Sequence, residues 1–86
     1  MAAKYAVVTT FSFDPSVNVV LFDDRDSAID YIRSHSKQEY DIDIEENGWE
    51  NITEYCVDPD GERAVITNHF FDRTDVTEWR LGDIYD

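Results

Sequence analysis

The segment between Asp43 and Glu54 carries oxygen-bearing side chains at the spacing of a calcium-binding loop. Counted from Asp43, oxygen ligands stand at the first, third, fifth and twelfth places and a glycine at the sixth, which gives Asp43, Glu45, Asn47, Glu54 and Gly48. Three features depart from the pattern, because Glu45 is long for its place, Glu50 occupies a usually apolar place, and Pro59 follows an exit segment with strand character. Two interpretations therefore stand, a calcium site and a plain acidic loop.

Cys56 and His69 are the residues that could form a nucleophile and its base. A hairpin folded at Asp60 would set Cys56 opposite Arg63 or Ala64 and leave His69 far along the ladder. We therefore expect no catalytic dyad. The three glycines cannot build a phosphate-binding loop, so we expect no cofactor. The sequence predicts a protein that is not an enzyme.

Acidic residues are concentrated in the middle of the chain. Residues 39–62 hold ten acids and no Lys or Arg, which is half of the 20 acids in the sequence. Such a run is typical of a solvated face that keeps a small domain in solution, and it also suits recognition of a basic protein surface. The candidate residues for binding such a partner are Asp41, Asp43, Glu45, Glu46, Glu50 and Glu54.

The formal net charge of −13 argues against two classes of partner. Direct binding to nucleic acid needs Lys and Arg to neutralise phosphates, and an anionic membrane surface repels an acidic protein. Same-face residues of a strand recur every ~6.6 Å, which is close to two phosphate steps of about 3.4 Å along one DNA strand. One hypothesis is therefore that the acids mimic nucleic-acid charge and block a basic nucleic-acid-handling protein.

Length and composition limit the architecture. The 86 residues fit a single domain, and an apolar fraction of 42% is enough to build a core. No apolar run approaches the ~20 residues of a membrane span, and the first residues lack the anatomy of a signal peptide. A single cysteine suits a reducing compartment. We expect a cytoplasmic protein.

Hydrophobic periodicity predicts five strands and one helix. Alternating apolar residues and turn signals favour strands at residues 4–13, 17–22, 52–57, 62–71 and 76–81, with the first strand central in the sheet. Asp14-Pro15-Ser16 is the expected turn between the first two strands. The predicted fold class is α+β in ββαβββ order, an antiparallel sheet of four to five strands with one amphipathic helix packed on one face.

The predicted helix follows Asp23, which is the expected cap with Asp26 three residues later. Its apolar side chains fall within an arc of roughly 120°, formed by Ala28, Ile29, Ile32, Ser36 and Tyr40. Continuing the helix would bring Asp43 into that arc. We therefore expect the helix to end near residues 39–41.

A sheet with a single helix has one uncovered face, so some aromatic side chains must remain outside the core. Loop or tail packing over that face is one expectation. A homodimer that buries the face through Phe71 and Trp79 is the other.

Four strings in the chain resemble a family of small acidic uncharacterised proteins encoded on bacterial mobile elements and in phages. They lie at residues 4–13, 47–49, 66–70 and 75–79, and the resemblance spans nearly the whole chain. It implies no activity, cofactor or catalytic residue. It implies a setting in which small acidic proteins bind and block host proteins that handle nucleic acid.

Overall fold

The computed structural model describes residues 4–47 and 52–83. These residues form a helix and five strands, with the bounds β1 Tyr5–Phe11, β2 Asp14–Phe22, α1 Arg25–Asn47, β3 Thr53–Val57, β4 Arg63–His69 and β5 Thr74–Asp83. The α+β class and the ββαβββ order are confirmed.

The five strands form one antiparallel sheet in the order β2-β1-β5-β4-β3. β1 lies between β2 and β5, so its predicted position inside the sheet is confirmed. The two edges are β2 and β3. The first two strands thus build one side of the sheet, and the strands that follow the helix build the other.

The helix covers one face of the sheet and completes the core. The buried apolar cluster draws on both layers and consists of Val7, Ala28, Ile32, Ala64, Ile66 and Trp79. Trp79 lies opposite Thr9 on one side and Ala64 on the other, and only 3% of it is exposed. Phe71 is fully exposed in the connection after β4. Trp79 faces the helix and therefore does not belong to the uncovered face, whereas a dimer contact through Phe71 stays a prediction.

The cap of the helix lies one residue later than predicted, and the helix begins at Arg25. The carboxylate of Asp24, rather than Asp23, accepts hydrogen bonds from the backbone N–H and the hydroxyl of Ser27, both at 2.9 Å. These bonds, the backbone one above all, lower the pKa of the Asp24 carboxyl. They also satisfy a free N–H in the first turn.

The helix also continues to Asn47, past the predicted end at residues 39–41. Asp43 does lie in the arc that faces the sheet, but Asn68 Nδ2 donates a hydrogen bond to its carboxylate at 3.1 Å. A partner on β4 therefore makes this half-buried acid compatible with the helix. Ile42 is exposed on this continuation of the helix.

Strand boundaries differ from the prediction at the first hairpin. β1 ends at Phe11 and β2 begins at Asp14, so the turn is Ser12-Phe13 and Asp14-Pro15-Ser16 belongs to the strand. Pro15 is tolerated there because β2 is an edge strand. β4 ends at His69 rather than residue 71, and β5 runs from Thr74 to Asp83.

The turn between β3 and β4 packs against the helix. Gly61 has a φ of 76°, and an added Cβ would lie 2.7 Å from Ile29 Cγ2. Glycine is therefore required both by conformation and by space. The turn sets Cys56 opposite Val65, one residue beyond the predicted Arg63 or Ala64.

Candidate functional site

The last turns of α1 form an acidic surface that we call the acidic helix end. It comprises residues 39–46, in which five of eight positions are Glu39, Asp41, Asp43, Glu45 and Glu46 and none is Lys or Arg. Asp43 is half-buried, and the other four acids are exposed. This part of the helix thus presents carboxylates to solvent without a cation among them.

The arrangement is unfavourable for the helix itself. Glu39 and Asp43, Asp41 and Glu45, and Asp43 and Glu46 are like-charged pairs three or four residues apart. Each such pair costs a helix about 0.2–0.5 kcal/mol. The last turn holds no basic residue, although the C-terminal end of a helix dipole favours cations.

Lys37 supplies a cation beside the acidic helix end. Lys37 Nζ lies 2.6 Å from Asp41 Oδ1, and this hydrogen bond raises the pKa of Lys37. Both side chains are more than half exposed, so water and salt screen the pair. This contact compensates only the charge of Asp41 and leaves that of Glu39, Glu45 and Glu46.

Aromatic and polar contacts hold this part of the helix against β3 and β4. The rings of Tyr40 and Tyr55 stack with centroids 4.8 Å apart, and the hydroxyls of Ser36 and Tyr55 are 2.6 Å apart. The contact from Asn68 to Asp43 adds a third point of attachment. The acids therefore project from a docked helix rather than from a free segment.

The six acids predicted to bind a partner do not form one surface. Four of them, Asp41, Asp43, Glu45 and Glu46, lie together on the acidic helix end. Glu54 precedes Tyr55, which faces the helix, so Glu54 lies on the opposite face of the sheet. There its carboxylate is 2.8 Å from His69 Nε2. Glu50 lies outside the described residues.

Glu39 belongs to the acidic helix end although it is not among the acids predicted to bind a partner. Its position four residues before Asp43 would have indicated this, had the helix been extended past residue 41. The error in the helix boundary and the missing residue therefore have the same origin.

The predicted calcium ligands are not arranged as a loop. Asp43, Glu45 and Asn47 are helical, whereas a calcium-binding loop wraps around its ion with irregular backbone. Glu54 is on β3 and pairs with His69. Within residues 4–47 and 52–83, no three His, Cys, Asp or Glu side chains are grouped so as to hold a metal ion. Gly48 lies outside the described residues. The calcium interpretation therefore has no support there.

The uncovered face of the sheet has a charged centre and a shallow depression. Glu78 binds Arg63 at 2.6 Å in the middle of this face. Beside it lies a depression of about 460 Å³, lined by Glu54, Tyr55, Cys56, Val65 and Thr67. Cys56 is an exposed thiol opposite Val65, and His69 is bound to Glu54. The described contacts thus give Cys56 no base.

Two further findings bear on function. In the part of the chain that the structure describes, α1 is too polar to be a membrane span. No protein-family model, curated protein or solved structure matches the chain. The resemblance to small acidic proteins of mobile elements therefore stays a prediction.

Proposed function

We propose that this chain is a non-enzymatic protein-binding module whose acidic helix end engages a basic surface on another protein. The observation that carries the proposal is the placement of four exposed carboxylates, Glu39, Asp41, Glu45 and Glu46, at the end of the helix where the dipole disfavours acids. Acids serving only to keep the protein in solution would be as effective at the start of the helix, where the dipole favours them. Their position is best explained by binding.

The geometry also supports mimicry of nucleic-acid charge. Residues four apart on a helix are separated by ~6 Å along its axis, which is close to two phosphate steps of about 3.4 Å on one DNA strand. Asp41 and Glu45 have this spacing, as do Glu39 and Asp43. A protein surface that binds a phosphate backbone is thus a suitable partner, and we propose this class.

Capture from a bacterial cell extract tests the proposal with two variants of equal charge. The helix-end variant carries Glu39→Gln, Asp41→Asn, Glu45→Gln and Glu46→Gln, and Asp43 is kept for its contact with Asn68. The control variant carries Asp23→Asn, Asp30→Asn, Asp72→Asn and Asp83→Asn, which are exposed acids elsewhere. Each variant removes four negative charges.

We expect the wild-type and control chains to retain the same basic protein, to release it at high salt, and to release it to added duplex DNA. The helix-end variant should fail to retain it. Equal retention by both variants would mean that net charge, rather than the acidic helix end, is responsible. A partner released by salt but not by DNA would support binding and contradict mimicry.

A further inference from the structure

Over residues 16–22, the edge strand β2 lacks the features that protect exposed sheet edges. It is nine residues long and, among residues 4–47 and 52–83, it pairs only with β1. After Asp14 and Pro15 it contains no charged residue and no proline. Natural sheets usually guard such an edge with charges, prolines, bulges or short length.

The other edge of the sheet shows that protection. β3 has only five residues, carries Glu54 and is followed directly by Asp58. Short length and charge both discourage pairing with another strand. The difference between the edges points to β2 as the strand available for pairing.

β2 also exposes apolar side chains in a row. Val17, Val19 and Leu21 alternate along the uncovered face of the sheet, and each is more than half exposed. Phe13, which is exposed in the turn before β2, extends this row. A partner strand that continued the sheet would bury this row.

The charge distribution selects a second copy of the chain as the partner. Residues 1–22 contain one Lys and one Asp, so the net charge of −13 arises entirely from residues 23–86. The strand order places β2 at the opposite edge from β3, against which the acidic helix end packs. Two copies that meet through β2 therefore keep their acidic regions far apart, at the two ends of a joined sheet.

We propose that β2 pairs antiparallel with β2 of a second copy, with the two-fold axis at Val19. This register sets Val19 opposite Val19 and Val17 opposite Leu21, so the apolar row of one chain meets that of the other. The joined sheet has ten strands. Its interface lies at the small end of specific interfaces, below ~1,200 Å², so the dimer is weak and depends on concentration.

Sedimentation of matched variants tests this proposal. Val19→Lys sets two like charges directly opposite each other in the dimer. Phe71→Lys is the control, because it also replaces an exposed apolar residue by lysine, but in the connection after β4. Both variants lower the net negative charge equally, which by itself favours association. Circular dichroism and thermal melting establish that each variant is folded.

We expect wild-type protein to dimerise at high micromolar concentration, more strongly at 1 M than at 0.1 M salt because salt screens the repulsion. Val19→Lys should weaken the dimer by roughly tenfold or more, and Phe71→Lys should not. A wild-type chain that stays monomeric at both salt concentrations would overturn the proposal, as would equal weakening by both variants.

Crosslinking tests the register even if Val19→Lys does not fold. In a Cys56→Ser background, Val19→Cys should form a covalent dimer on mild oxidation, because directly opposed residues are within disulfide reach. Phe71→Cys in the same background should form far less. Equal crosslinking of the two variants would contradict pairing at Val19.

Discussion

Charge has opposite effects on the stability of α1 in its N-terminal half, residues 25–36, and in its C-terminal half, residues 37–47. The first half has an acidic cap at Asp24, an acid at Asp26 in its first turn, and the buried side chains of Ala28 and Ile32. The second half places its acids at the negative end of the helix dipole and lacks a basic residue in its last turn. Charge stabilises the helix at its start and destabilises it at its end.

This difference separates residues that fold the protein from residues that are available for binding. The first half needs no partner, because capping and burial already account for its sequence. The second half is held in place by Tyr40 and by Asp43, and its remaining acids make the helix less stable. Four predictions test this difference between the two halves of the helix.

The largest effect is expected for the buried contact of the first half. Ile32→Ala removes a fully buried side chain and should lower the free energy of unfolding by about 3 kcal/mol. Ile42→Ala in the second half is the control, since this side chain is exposed, and it should cost less than about 1 kcal/mol. Urea denaturation measures both. Similar losses of unfolding free energy for the two variants would contradict the difference in packing between the two halves.

Gly61→Ala should have the next largest effect. The substitution strains a left-handed backbone and brings a Cβ against Ile29 in the first half of the helix. We expect a loss of about 2 kcal/mol, measured by thermal or urea unfolding. Gly82 in β5 is the control position, because an added Cβ there would lie 3.9 Å from the nearest atom, the backbone oxygen of Ala6. A loss at Gly82→Ala as large as at Gly61→Ala would contradict the docking of this turn.

The cap at Asp24 should give a smaller effect that depends on pH. Its carboxyl has a lowered pKa in the folded state because Ser27 donates hydrogen bonds to it. The stability from this group is therefore present above the unfolded pKa and is lost as the pH falls through the folded value. Asp24→Ala should lower the melting temperature at pH 6. The difference from wild type should shrink below about pH 4, and a constant difference down to pH 2 would contradict the cap.

The smallest expected effect is a change in the free energy of unfolding that has opposite signs when an acid is removed from the first half and from the second half of α1. Asp26→Asn should destabilise the protein slightly, because it removes an acid from the first turn. Glu45→Gln should stabilise it by about 0.3 kcal/mol, because it removes a like-charged neighbour of Asp41. Urea denaturation at low salt measures both changes. Destabilisation by Glu45→Gln would show that this carboxylate has a structural role.

The fold was largely predictable from the sequence because alternation and turn residues are local signals. The end of the helix was not predictable, since Asp43 is acceptable in the buried arc only through Asn68, 25 positions away. Trp79 was misplaced for a related reason. Its burial depends on the pairing of β5 with β1 and β4, which no local pattern specifies. The acidic helix end was therefore predicted only in part, because Glu39 was missed and Glu54 lies on the opposite face of the sheet.

Titration of isotopically labelled protein with a short lysine-arginine peptide tests whether the acidic helix end binds a basic partner. NMR amide shifts report which of the acids respond to a cationic ligand. We expect the largest changes to fall on residues 39–46, to saturate, and to disappear at high salt. Changes spread evenly over all exposed acids, or centred on residues 23–30, would contradict a binding role for the acidic helix end.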